Sequence, residues 1–215
     1  MTRIVKVELQ DTDNPALREA ADIMRNGGLV VFPTETVYGL GTIASNEQAV
    51  LSVFTAKQRP NSTPLPVQIA DITMLPLVSL NPPESAYILA NKFWPGPLTI
   101  VLPRNPSISD AVTAGSDTVG VRIPDHAIML QILKELNAPA VATSANISGY
   151  PAPITAHEAA EQIGESAELI IDSGPCQIGA SSTVITITNN ELKILRQGTI
   201  TFEQITNALD PTINP

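Results

Sequence analysis

The apolar positions of this chain switch repeatedly between a period near two and a period near 3.6, so short strands alternate with amphipathic helices. Alternation over residues 3–7 predicts a strand. Asn14-Pro15 supplies a cap followed by proline at the first helical position, Leu17, Ala20, Ala21 and Met24 then share one face, and Gly27-Gly28 ends the helix. Residues 29–32 form an unbroken apolar run, the pattern of a buried strand, and residues 33–44 read as a loop. Ser45 and Gln48 have capping-box spacing before a helix that turns Ala49, Val50, Val53 and Phe54 inward and stops before Pro60. Further strands are predicted over 65–69, with Pro66 marking an edge or irregular position, and over 98–102, 119–123, 140–142, 169–171, 183–188 and 191–196. Asn189-Asn190 would join the last two as a hairpin. Further helices are predicted over 84–93, over 127–136, from a Thr155/Glu158 capping box to about Gly164, and after Thr201 with Gln204. Strands and helices mix throughout, without repeat or linker. The fold class is therefore α/β with a mixed sheet, and residues 1–215 read as one domain.

Composition narrows the setting. With 43% hydrophobic and 15% charged residues over 215 positions, the chain is a well-filled globular protein that needs no covalent staples. Cys176 is the sole cysteine, so no internal disulfide forms, and no apolar run has the length of a signal peptide or a membrane span. The expected location is the cytoplasm, without a membrane partner. The formal net charge of −9, with 12 Lys plus Arg placed singly, disfavours a protein that grips long nucleic acid, but leaves room for a small basic pocket.

Four segments carry candidate chemistry. Phe32-Pro-Thr-Glu-Thr-Val-Tyr-Gly-Leu-Gly41 follows a buried strand, where α/β proteins place ligands; Thr34 and Thr36 offer hydroxyls, and Gly39 and Gly41 would let backbone approach a ligand. A polar turn with structural glycines is the alternative. The glycines do not directly follow the strand, and no acidic residue lies at the required distance, so this is no dinucleotide fingerprint. Lys57-Gln-Arg59-Pro60 ends a helix, where two cations could answer the helix dipole or clamp phosphate. Arg122 interrupts an apolar strand in Thr118-Val-Gly-Val-Arg122-Ile-Pro124; buried, it needs a carboxylate from the protein or from a ligand. Ala142-Thr-Ser144-Ala-Asn146-Ile-Ser-Gly149 is either a turn bonded by its own side chains or a loop lining a nucleotide. There is no Walker loop, no serine nucleophile elbow and no histidine–cysteine cluster for zinc; His126 reads as structural and His157 as a surface residue.

In order along the chain, these segments, together with Phe93-Trp-Pro-Gly-Pro-Leu-Thr99, Ser182-Thr-Val184 and Leu195-Arg-Gln-Gly198, resemble the YrdC-like family, the threonylcarbamoyl-AMP synthases, in what looks like the short single-domain form. The resemblance implies a YrdC-like twisted mixed β-sheet flanked by helices, with a large concave basic cavity. It also implies a reaction in which L-threonine, bicarbonate or CO2, and ATP give threonylcarbamoyl-AMP and pyrophosphate. Mg2+ would be held mainly through the ATP phosphates, with no metal site in the protein. A downstream threonylcarbamoyl-transferase complex would then modify tRNA, which this chain would contact weakly at most.

By the same resemblance, Thr36, Gln68, Arg122, Ala142 and Ser182 bind threonine, with Arg122 on its carboxylate. Lys57, Arg59, Thr63, Thr118, Ser144, Asn146, Ala152 and Arg196 bind ATP, and Lys57 and Arg59 are the catalytic cations. Gln68 and Thr63 depart from the family pattern, standing where many relatives have histidine and asparagine. An amide can hydrogen-bond but carries no charge. The alternatives are a carbamoyl-transfer domain of the same fold and a non-catalytic double-stranded RNA binder.

Overall fold

A computed structural model describes residues 2–209 apart from 189 and 190. Ten strands form one mixed sheet: β1 (Arg3–Lys6), β2 (Val30–Phe32), β3 (Gly39–Ile43), β4 (Val67–Gln68), β5 (Leu98–Pro103), β6 (Thr118–Arg122), β7 (Ala140–Ser144), β8 (Leu169–Asp172), β9 (Thr183–Thr188) and β10 (Glu191–Arg196). Their spatial order is β1-β8-β2-β3-β7-β4-β6-β5-β9-β10. The helices are α1 (Pro15–Arg25), α2 (Glu47–Ala56), α3 (Leu75–Val78), α4 (Glu84–Phe93), α5 (Asp110–Thr113), α6 (Ala127–Leu136), α7 (Ala156–Ile163) and α8 (Phe202–Leu209). No helix among the described residues is long and apolar enough to cross a membrane.

Two cores follow from the strand alternation. On one face Val31, Leu40, Val67, Ile100 and Val121 pack with Val53 and Phe54 of α2, Leu89 of α4, Ala159 of α7 and Ile205 of α8. On the other, Leu17, Ala20 and Met24 of α1 and Ile128, Ile132 and Leu133 of α6 cover Val30, Phe32, Leu169 and Ile171. That second cover stops part-way across the sheet. Residues paired in register share a face. The register Gln68↔Arg122 and Gln68↔Ala140, followed by Val101↔Gly120 and Thr99↔Val184, carries the same face across β4, β6, β5 and β9. There it mixes glutamine, arginine, threonine and glycine with Val101 and Val184, and a cleft takes the place of a helix layer.

The start signals act largely as read. The Asn14 side chain accepts from the Ala16 N–H before Pro15. Thr155 and Glu158 form a reciprocal capping box. Thr201 and Gln204 do the same for α8, at 2.8 and 3.2 Å. At α2 the cap is Asn46, accepting from Ala49 N–H, and not Ser45. Pro66 marks no sheet edge, because β4 lies between β7 and β6; the proline sits just before the strand, where no donor is needed, and its carbonyl accepts from Ala142 N–H at 3.0 Å. The short helices α3 and α5, of four residues each, are too brief to show a helical period in the sequence. The Asn189-Asn190 turn lies outside the described residues; the strands it would join pair antiparallel.

The largest departure is β3. Residues 39–43 were expected in a loop, yet they pair antiparallel with both β2 and β7. Two glycines weaken a strand by propensity alone, but here their bare backbone makes room for a neighbour. A Cβ on Gly39 would stand 2.5 Å from the Phe32 ring, and one on Gly41 would stand 2.5 Å from the Val141 carbonyl oxygen. Gly41→Ala should therefore overpack the sheet centre and lower stability by about 1–3 kcal/mol. Urea unfolding measures this, and an unchanged midpoint would show that the space is not needed.

Candidate functional site

The cleft over the uncovered sheet face has a volume of about 480 Å3, within the range of sites that enclose small ligands. Ten of the residues that the resemblance assigns to threonine or ATP line it: Thr36, Arg59, Thr63, Gln68, Thr118, Arg122, Ala142, Ser144, Ser182 and Arg196, and Thr34 and Gly39 line it as well. Lys57, Asn146 and Ala152 are not among the lining residues.

Arg122 comes from the end of β6 and is almost fully buried. Its Nε donates to the Gly96 carbonyl at 3.0 Å, and its Nη2 donates to Glu35 Oε1 at 2.6 Å and to Thr36 Oγ1 at 3.2 Å. The carboxylate that a buried arginine requires is thus supplied in part by the protein. Thr34 continues the chain of contacts, its hydroxyl 2.8 Å from that of Thr36. Glu35 Oε2 is buried with no hydrogen-bond partner, as is Gln68 Oε1, one strand over from Arg122 in register. Orphaned acceptors in a buried polar site cost stability unless a donor reaches them.

Arg196 ends β10, beside a register shift between Ile194 and Arg196. Its Nη2 donates to the Ser182 carbonyl at 2.9 Å and to Ser182 Oγ at 3.1 Å, and Ser182 Oγ lies 3.1 Å from Thr99 Oγ1. Arg59 follows α2; its Nη2 donates to the Pro64 carbonyl at 2.9 Å, so the proline-flanked turn does hold the guanidinium in place.

The three arginines feel one another. Burial, then the charge of Arg196, lowers the pKa of Arg59, and burial, then the charge of Arg122, lowers that of Arg196. No Asp or Glu is among the cleft-lining residues. Cations gathered with so little compensation make a site for anions, and they come from three distant stretches of chain.

The remaining sequence candidates serve the walls. Lys57 is buried, 2% exposed, with Nζ donating to the Asn146 carbonyl at 2.6 Å, to Asn146 Oδ1 at 3.3 Å and to the Ser144 carbonyl. Asn146 Nδ2 donates to the carbonyls of Ile147 and Tyr150 at 2.9 and 2.8 Å. That is the self-bonded turn weighed as an alternative for this segment. Ser144 joins it by donating to Asn146 Oδ1, while still lining the cleft. Ala152 lies further along the same loop, next to Pro153, whose carbonyl accepts from Tyr38 N–H at 2.8 Å. His157 is an exposed partner of Glu161, and His126 does not line the cleft. Two further residues join the site, Glu35 through Arg122 and Thr99 through Ser182. Glu35 stands between two threonines after a buried strand, and Thr99 shares its face with Val101 in an otherwise apolar strand. Both were legible only as exceptions to alternation.

Among the described residues, no group of three or more His, Cys, Asp or Glu side chains is arranged to hold a metal ion. Mg2+ is usually held by carboxylates, phosphates and water; the side chains lining the cleft offer guanidiniums, hydroxyls and one amide.

The family model described as Telomere recombination, covering Sua5, YciO and YrdC, matches residues 22–198. A curated protein of Pyrococcus abyssi, "Threonylcarbamoyl-AMP synthase", is 45% identical over 205 residues, 95% of this chain and 60% of that protein. One of the same description from Bacillus subtilis is 43% identical over 201 residues, 93% of this chain and 58% of the relative. This chain therefore spans about three-fifths of the length of these relatives. Among solved structures, that of P. abyssi Sua5 complexed with L-threonine superposes with a TM-score of 0.90 at 43% identity, covering 97% of this chain and 61% of that one. Escherichia coli YciO gives a TM-score of 0.82 at 22% identity, over 95% of this chain and 98% of that one, a likeness of fold. With the sheet, the cleft and these matches in agreement, the chain belongs to the Sua5/YciO/YrdC family.

Proposed function

We propose that this chain synthesises threonylcarbamoyl-AMP from L-threonine, bicarbonate or CO2, and ATP. One observation carries the reading: Arg59, Arg122 and Arg196 meet in a single hydroxyl-lined cleft with no carboxylate among its lining residues. The curated names of the P. abyssi and B. subtilis relatives, and the L-threonine complex of the P. abyssi protein, support it further.

The chemistry asks for no protein nucleophile. The threonine amine adds to CO2 and loses a proton to give a carbamate. A carbamate oxygen then attacks the α-phosphorus of ATP, the bond from that phosphorus to the bridging oxygen breaks, and pyrophosphate leaves. Catalysis of this kind rests on holding two reactants in line and on neutralising phosphate charge. In our reading Arg122, steadied by Glu35 and Thr36, receives the threonine carboxylate. Gln68 and Ser182 offer hydrogen bonds beside it, and Ala142 leaves space against the sheet. Arg59 and Arg196 face the phosphates, with Thr63, Thr118 and Ser144 around the nucleotide. Magnesium, in this scheme, is held mainly through the triphosphate. The product would pass to a transferase acting on tRNA.

Pyrophosphate release from ATP should require both threonine and bicarbonate; equal release without threonine would refute the assignment. Arg59→Ala and Arg196→Ala should each lower turnover by at least about 100-fold while circular dichroism stays unchanged, and normal turnover in either would remove that residue from the site. Arg122→Ala should raise the threonine concentration for half-maximal rate by about tenfold or more and leave the ATP requirement near its original value. An unaltered threonine dependence would exclude the carboxylate contact.

A further inference from the structure

Lys57 and Arg59 are two residues apart, yet they diverge. The backbone explains how. Lys57 N–H still closes the helix on the Val53 carbonyl at 3.1 Å, Gln58 adopts a left-handed φ of 48°, and Arg59 N–H returns to the Phe54 carbonyl at 2.9 Å. This left-handed reversal at a helix C-terminus sends the Arg59 guanidinium to the cleft and the Lys57 ammonium beneath the loop after β7. There the ammonium has three acceptors: the carbonyls of Ser144 and Asn146, and Asn146 Oδ1. The Lys57 carbonyl accepts from Ser148 N–H at 2.9 Å, so the same residue ties the loop by backbone as well. An ammonium has three N–H donors, which leaves none over for a phosphate.

The geometry points to Lys57 as a positioning residue for nucleotide binding. Its ammonium fixes the Ser144–Asn146 segment to the end of α2 and does not touch the nucleotide. This deepens the proposed reaction and rests on it only in taking the ligand to be a nucleotide. The surroundings agree. Burial, followed by the nearby charge of Arg59, brings the Lys57 pKa down to about 8, which still leaves the group mostly protonated at neutral pH and able to donate to all three acceptors. Asn146 Oδ1 accepts from both Lys57 and Ser144, so loss of the lysine would be felt at the cleft wall through Ser144.

The test compares Lys57→Met and Lys57→Arg with the unsubstituted protein by amide hydrogen exchange and by direct titration of ATP and AMP, none of which requires turnover. In Lys57→Met, exchange over residues 144–150 should quicken by about tenfold or more with α6 unchanged. Affinities for ATP and AMP should fall by the same factor, and Lys57→Arg, which keeps the charge but not the shape, should not restore them. Preferential loss of ATP binding over AMP, unchanged loop protection, or rescue by arginine would overturn the proposal in favour of a phosphate ligand. Should either variant fail to fold, acetylation of the unsubstituted protein decides. Lys57 is expected to react slowly with or without ATP, whereas ready reaction that ATP suppresses would refute its placement away from the nucleotide. A protein that passes these tests but makes no threonylcarbamoyl-AMP would sink the reaction and leave the role of Lys57 standing.

Discussion

Gathering three guanidiniums on one half-buried surface is unfavourable by itself, and the organisation of the cleft answers that constraint. Each arginine is held by groups that fix its direction without cancelling its charge: carbonyls of Gly96, Pro64 and Ser182, and hydroxyls of Thr36 and Ser182. Among the described residues, Arg122 alone of the three also pairs with a carboxylate, Glu35, which offsets part of its charge. Rigid dipoles around residual positive charge make a preorganised site for developing negative charge, where little reorganisation is needed as bonds change.

The sheet makes this arrangement possible. Helices α1 and α6 cover one face as far as the β2, β3 and β7 region, and beyond that the same face presents Gln68, Arg122, Thr99 and Arg196 to the cleft. The opposite face is mainly apolar, with Val67, Val121, Ile100 and Ile185 in the main core and the buried threonines Thr42 and Thr183 among them. Stability and chemistry are thereby divided between the two sides of the same strands. Close backbone approach at β3, where Gly39 and Gly41 leave room for Phe32, brings the Thr34–Thr36 turn beside β7 and hence beside the arginine of β6.

Much of this was legible from the chain, and the exceptions have physical reasons. Capped amphipathic helices, such as α1 and α7, are visible because propensity, periodicity and capping agree there. Strand β3 was missed because glycine is disfavoured in strands unless a neighbour occupies the vacated space, a fact of tertiary packing. Arg122 stood out because it interrupts an apolar run, and the alternation Thr118, Gly120, Arg122 against Val119, Val121 holds the wet face of β6 in plain view. The sequence could not distinguish the directions of Lys57 and Arg59. A single left-handed residue, Gln58, separates a cation under a loop from a cation in the cleft. Nor could it weigh Glu35, whose part depends on Arg122, distant in sequence and adjacent in space.

The most direct test is a crystal structure with ATP and L-threonine bound. The three arginines are expected on a single pair of ligands, with the threonine carboxylate on Arg122 and the phosphates between Arg59 and Arg196. A nucleotide bound elsewhere, or a triphosphate that leaves Arg59 and Arg196 facing solvent, would contradict the proposed convergence of these cations on one pair of ligands.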